Sequence, residues 1–236
     1  MNMHKIAGLY VDMGYSEPRL TKQAAAYKTD ERVKPDITIY LAENFIKTRL
    51  EQDQNMTRDL CEYIWTGSVF YDALINFNGF MLHSSAVIVD GRAYLFSAPS
   101  GTGKSTHTAL WLKHFGERAR IINDDKPAIR ITNNGIKVYG TPWSGKSDLN
   151  INTEADLGAI CFISRDSYNH IEPMPEAEAI AKVLNQTLRP CSEREMDMLL
   201  STLDTVIKNT KIFKLGCTIS EEAAVMAYEA MSGCKA

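Results

Sequence analysis

No stretch of this sequence approaches the ~20 consecutive apolar residues that a membrane-spanning helix needs. Its opening, Met1 to Asp12, has no apolar core of the kind a secretory signal carries. Cysteine is sparse and scattered. Cys61, Cys161, Cys191, Cys217 and Cys234 are odd in number and never form a Cys-x-x-Cys pair, which argues against a disulfide framework and against a zinc site. These absences point to the cytoplasm, with thiols reduced and mostly buried. Charge of either sign is not in large excess: the formal net charge is -3, so no general affinity for nucleic acid or for acidic membranes is expected. Internal repeats and low-complexity tracts are also missing. What is there, 236 residues with 44% hydrophobic and 23% charged, is the profile of a soluble globular protein large enough to bury a core without staples.

The first 35 residues are the least readable. Ile6 to Val11 reads as a strand, Ser16-Glu-Pro18 as a turn, and Ile37 to Leu41 as β-rich. From Thr57 the apolar residues Leu60, Ile64, Phe70, Leu74 and Phe77 recur at roughly helical spacing. Gly67 interrupts them, which suggests two helices, and Gly79 is a natural stop. Phe80 to Val89 is apolar and β-branched. Asp90-Gly91 supplies hairpin chemistry, and Ala93 to Phe96 reads as the return strand. Lys104 to Phe115 reads as a helix capped by Gly116. Arg120 to Ile122 is a short strand, and Ala128 to Ile131 and Ile136 to Tyr139 flank the hairpin signal Asn133-Asn134-Gly135. Further on come a buried strand at Gly158 to Ile163, helices near Pro175 to Leu188 and Ser192 to Lys208, a strand at Lys211 to Leu215 and a helix from about Ser220 to Met231. Strands mixed with helices and hairpins predict an α/β fold with a mixed sheet. The chain divides into an N-terminal α+β region over 1–79, packed on the core, and a P-loop domain over 80–236.

The stretch Ala98-Pro-Ser-Gly-Thr-Gly-Lys-Ser105 meets the pattern of a phosphate-binding loop, with Ala98 where glycine is commoner. Such a loop wraps a polyphosphate with backbone N–H groups, so Pro99, Ser100, Gly101, Thr102, Gly103, Lys104, Ser105 and Thr106 are the candidate nucleotide-binding residues. Gly101 and Gly103 permit the dihedrals and the close approach. The helix opening near Gly103 aims its N-terminus at the phosphates. Lys104 brings positive charge to the terminal phosphates, and the Ser105 hydroxyl is a ligand for Mg2+. The motif follows a predicted strand and opens a predicted helix, as its mechanism requires. The loop alone does not choose between ATP, GTP and pyrophosphate.

Asp124 and Asp125 lie 20 and 21 residues after Lys104, at the end of the next predicted strand. A strand of that length returning from the helix lands its end beside the phosphates. Two adjacent carboxylates there can divide labour, one holding Mg2+ and the other accepting the proton of an attacking hydroxyl. Without the P-loop upstream, an Asp-Asp turn capped by Lys126-Pro127 would be the plainer reading.

Leu82-His83-Ser84-Ser85, the Asp90-Gly91 hairpin, the P-loop and the close-following Asn123-Asp124-Asp125 together resemble the HPr kinase/phosphorylase family, which shares a superfamily with phosphoenolpyruvate carboxykinase. The resemblance covers roughly residues 80–163. It implies the mixed-sheet P-loop fold of that type with an N-terminal α+β attachment, and a kinase that moves phosphate from ATP to a serine hydroxyl using Mg2+. It also implies that Asp124 is the base and that Asp125 joins Ser105 in binding metal. His83 stands where the family has a histidine and could contact the terminal phosphate or the acceptor. The chain departs from the family at Thr106, where bacterial HPr kinases carry glutamate. It also lacks their Glu-Ile-Arg-Gly motif and has Tyr139-Gly-Thr-Pro-Trp-Ser-Gly-Lys146 in that region. Lys146 could replace the missing arginine as a catalytic cation, and Trp143 could floor a substrate pocket or anchor the loop.

The expected partner is thus a serine-bearing acceptor: a protein, a peptide or free serine. A homo-oligomer is in keeping with the hexamers of the long HPr kinases. The rival readings are a small-molecule kinase or phosphorylase on the same fold, and a nucleotide-binding regulatory module without turnover. Retention of both aspartates argues against the module. Carboxykinases are about twice this length, and no Leu-Ser-Gly-Gly-Gln signature of transporter ATPases is present.

Overall fold

In a computed structural model of the protein, which describes residues 2–236, Asp90 and Gly91 both take positive φ (49° and 81°) and turn the chain back on itself, as their chemistry predicts. Before this turn the chain forms β1 (Met3–Ile6), β2 (Leu9–Met13), α1 (Pro18–Ala24), β3 (Ile37–Ile39), α2 (Glu43–Gln52), α3 (Arg58–Leu74), β4 (Gly79–Met81) and β5 (Ser84–Val89). After it come β6 (Arg92–Ser97), α4 (Lys104–Phe115), β7 (Ala119–Asn123), β8 (Ala128–Thr132), β9 (Gly135–Tyr139), β10 (Glu154–Arg165), β11 (His170–Pro173), α5 (Glu176–Asn185), α6 (Glu193–Lys208), β12 (Lys211–Cys217) and α7 (Glu221–Ser232). No helix among the described residues is long and apolar enough to cross a membrane.

Nine strands form one mixed sheet in the order β4-β8-β9-β10-β6-β5-β7, with β12 branching from β10 and β11 pairing β12. The branch arises because β10 is long. Its first residues pair β9, its later ones pair β12, and β6 runs along its other side. The central strands read as unbroken apolar runs because both faces are covered. Ala86, Ile88, Leu95, Ile160 and Phe162 face α5 and α6, while Val87, Val89, Phe96, Cys161 and Ile163 face α4 and α7. The three-stranded sheet β1-β2-β3 packs with α1 and α3 in a third cluster. That cluster also takes in Ala128, Tyr139 and Trp143, so residues 1–79 share a core with the later chain.

Strand direction builds the functional edge. β6 pairs antiparallel with β5, and β5 antiparallel with β7, so β6 and β7 run the same way. β10 and β12 are also parallel to β6. The P-loop after β6, the residues after β7, Arg165 ending β10 and Thr218 after β12 therefore collect at one edge, joined by His83, which precedes β5.

Several expectations are corrected. Ile6 to Val11 is two strands, not one, because Ala7 and Gly8 (φ 51° and 74°) make a tight turn in the middle. Pro18 opens α1 rather than closing a turn, where its missing N–H costs nothing. α3 runs through Gly67 without a break. Phe80 to Val89 is divided into β4 and β5, which join different neighbours, β8 and β6 with β7. α2 and β11 were not anticipated.

Candidate active site

Ser100, Gly101, Gly103, Lys104, Ser105 and Thr106 of the P-loop, the two aspartates, His83 and Lys146 line one cleft of about 670 Å³; Pro99 does not line it, and Thr102 lines a neighbouring hollow. Gly101 and Gly103 hold φ of 80° and 123°, and a Cβ at either would meet nothing, so glycine is needed there for its dihedrals and not for room. The Pro99 carbonyl shapes the loop by accepting from Thr102 N at 3.3 Å. α4 begins at Lys104 with no side-chain cap, leaving its first N–H groups toward the cleft. Lys104 is folded back, donating to Ala98 O at 2.9 Å. Burial pulls its ammonium below the usual lysine value against the opposing pull of Asp125 and Asp124.

Asn123 sets the acidic turn. Its Oδ1 accepts from the N–H groups of Asp125 (2.9 Å) and Lys126 (2.7 Å), and its Nδ2 donates to Thr141 O at 3.0 Å. Tyr71 and Thr141 hydroxyls both donate to Lys126 O, at 2.6 and 2.9 Å. The two carboxylates that result are not equivalent. Asp124 is 7% exposed and its Oδ1 accepts from Ser85 Oγ at 2.5 Å, with Thr108 Oγ1 2.8 Å from the same hydroxyl. Its Oδ2 carries no hydrogen bond among the described residues. Asp125 has both oxygens engaged, Oδ1 with His83 Nε2 at 3.3 Å and Oδ2 with the Lys126 ammonium. Burial pushes the Asp125 carboxyl up, but the hydrogen bond from His83 and the charge of Lys126 outweigh it and hold the group at about 2. His83 is oriented in turn by Gln186, whose Oε1 lies 2.9 Å from its Nδ1.

The loop carrying Lys146 is anchored from the N-terminal region. Trp143 stacks on Phe70 and donates to Thr66 Oγ1 at 3.2 Å, and its ring lies against Gly67. Gly145 N donates to Tyr63 OH at 2.8 Å, and Arg19 donates to Gly145 O at 2.7 Å while its guanidinium lies 3.6 Å from the Tyr63 ring centre. Gly145 needs to be glycine twice over, for its φ of 72° and because a Cβ would sit 2.8 Å from that of Asp125. Trp143 is thus a buried loop anchor, and Lys146 is an exposed cation at the cleft.

Four residues were missed by the sequence reading. Arg165 donates to the P-loop carbonyls of Thr102 (3.1 Å) and Gly101 (2.6 Å) and lines the cleft with Arg19. Ser85 and Gln186 orient Asp124 and His83. An arginine at the end of a buried strand on the P-loop edge was a readable signal for Arg165. Ser85 stands in the Leu82-His83-Ser84-Ser85 stretch that carries the resemblance, though without a role assigned to it, and nothing in the sequence marks Arg19 or Gln186.

A second hollow of about 370 Å³ lies on the other side of the P-loop, against Thr102, Thr106, His107, Leu110, Thr218 and Ile219. Burial pushes the His107 ring down to about 4. Its Nε2 accepts from Trp111 Nε1 at 3.2 Å, which leaves the proton on Nδ1.

No family model matches this chain, and no curated protein does. Among solved structures, the HPr(Ser) kinase/phosphatase from Coxiella burnetii is similar at a TM-score of 0.37 and 12% identity, over 64% of this chain and 95% of that one. A score at that level carries no weight for function, which therefore rests on the residues of the cleft.

Proposed function

We propose that this chain is an ATP-dependent kinase of the HPr-kinase-like type, which transfers the terminal phosphate to a serine hydroxyl of a protein, a peptide or free serine. The observation that carries this reading is the meeting, in one cleft, of a P-loop lysine with an ordered pair of carboxylates, one of which keeps an oxygen free. The serine acceptor rests on the resemblance of Leu82 to Ser85, the P-loop and Asn123 to Asp125 to that family. The hollow beside Thr106 and His107 supports a nucleotide over bare pyrophosphate, since it extends away from the phosphate loop and has an apolar wall in Leu110 and Ile219.

In the transfer, the serine oxygen forms a bond to the γ-phosphorus, the bond from phosphorus to the bridging oxygen breaks, and ADP leaves with that electron pair. The free Oδ2 of Asp124 takes the serine proton, and Ser85 holds the carboxylate in place for it. Lys104 swings from Ala98 O to the terminal phosphates, and Lys146 and Arg19 offset charge on the acceptor side. The donors present suit Mg2+, a hard cation that takes a few protein oxygens and fills its shell from phosphate and water. Ser105 and Asp125 would hold it, with Lys126 releasing Asp125. The ion would supply neutralisation of phosphate charge.

Turnover of γ-labelled ATP against serine and serine-containing peptides tests the reading. Lys104→Ala should lose most of the rise in melting temperature that Mg2+-ATP produces. Asp124→Asn should leave nucleotide affinity within a few fold and cut transfer by roughly 10^2 to 10^4. Nucleotide binding without transfer to any acceptor tried would favour a regulatory module instead.

A further inference from the structure

Beside the cleft, across Tyr63 and Lys126, lies a separate apolar slot of about 370 Å³ between α3 and the residues Met81 and Leu188. Its walls are Trp65, Tyr71, Met81, Trp143 and Leu188, and Ile64 stands 41% exposed on the same helix. Tyr63 and Lys126 line both the slot and the cleft, so the two hollows are neighbours with these residues between them. The slot lies on the opposite side of the cleft from the nucleoside hollow, which shares Gly103 and Thr106 with it at the P-loop. A peptide lying across Lys126 from the acceptor position would therefore bring a neighbouring side chain to an apolar hollow.

Building on the kinase reading, we infer that the acceptor is a peptide segment, free or within a protein, that carries a bulky apolar residue within two positions of its serine, and that this slot takes that side chain. Free serine has nothing to fill the slot, and a polar neighbour would lose its water there without compensation. An aromatic or branched side chain would instead be covered by two tryptophans, a tyrosine, a methionine and a leucine. This also gives residues 1–79 a task. α3 supplies one wall of the slot, and Tyr63 with Arg19 fixes the loop of Trp143, which supplies its floor.

The test is binding of fluorescent peptides with Phe or Gly next to the serine, in the presence of Mg2+ and a non-hydrolysable ATP analogue. Burying one such side chain should tighten binding of the Phe peptide on the order of 10- to 100-fold over the Gly peptide. Ser68→Trp, which fills the slot and touches none of the phosphate-binding residues, should erase that preference while leaving the ATP-induced melting shift intact. Should that variant fail to fold, Leu188→Asp should do the same. Equal binding of both peptides, no binding of either, or a preference unmoved by filling the slot would overturn the inference. So would a dimer of the wild type that Ser68→Trp breaks, which would assign the slot to a second copy. Phe-selective binding with no phosphoryl transfer once γ-labelled ATP replaces the analogue would instead sink the kinase reading and leave the slot standing. Transfer with no apolar preference would do the reverse.

Discussion

At Asp125 burial and two neighbours compete over one proton. Burial favours the neutral acid, while His83 Nε2 at 3.3 Å and the Lys126 ammonium favour the carboxylate and win, so the group falls from its ordinary 3.8 to about 2. A folded-state value below the unfolded one stabilises the fold above about pH 4, and that contribution fades as pH falls toward 2. It should amount to about 2 kcal/mol at neutral pH. Asp125→Asn is thus expected to lower the urea midpoint at pH 6, with the gap to wild type closing between pH 4 and pH 2.5. A gap that is constant with pH would mean that the two partners do not discriminate the carboxylate from the amide. The adjacency of Asp124 and Asp125 was legible in the sequence, but their inequality was not. It depends on Ser85, Lys126 and His83 reaching particular oxygens, and no spacing rule encodes which oxygen is reached.

Local chemistry that agrees with itself was read correctly at the scale of elements. Lys104 to Phe115 has its glycines at both ends and apolar residues between, and α4 spans those residues. Asp90-Gly91 marks a turn that nothing else could be. Where a residue serves a distant partner, local reading fails. Gly67 reads as a break because glycine is a poor helix former. In α3 it is there for Trp143, whose Cδ1 would lie 2.9 Å from an added Cβ. Gly67→Ala should therefore destabilise the protein by about 1–3 kcal/mol by overpacking, against its gain in helix propensity. That is a drop of several degrees in melting temperature at this size, on the scale of roughly 2–4 °C per kcal/mol. A rise in melting temperature would show that the indole gives way. β1 and β2 were merged for a related reason. Ala7 adopts a left-handed conformation that its side chain does not advertise, and only Gly8 hints at the turn.

Across the whole molecule the thiols divide by burial. Cys61, Cys161 and Cys217 are buried, and burial raises the pKa of each, while Cys191 and Cys234 are exposed. A disulfide reagent at neutral pH should titrate Cys191 and Cys234 quickly, Cys217, which borders the hollow beside the P-loop, more slowly, and Cys61 and Cys161 only on unfolding; fast reaction of Cys61 or Cys161 would contradict their packing. The sequence reading of scattered, reduced cysteines was general. Cys161 and Cys217 are covered because β10 and β12 lie at the branch of the sheet, a pairing that joins Ala159 to Lys211 across half a hundred residues, and Cys61 is covered on the packed face of α3.

That branch strand has a consequence in time. β5, its hairpin partner β6 and α4 are neighbours in the chain and can form early, so the P-loop is flanked by structure long before the molecule is complete. β10 arrives only when distant segments find each other, since its contacts span long loops and such pairings are slow to form. With it comes Arg165, whose hydrogen bonds to the loop carbonyls bridge 63 and 64 residues. Recovery of affinity for a fluorescent ATP analogue during refolding should therefore lag the recovery of helical circular dichroism and coincide with the slowest folding phase. An Arg165→Ala variant should bring binding forward at the expense of final affinity.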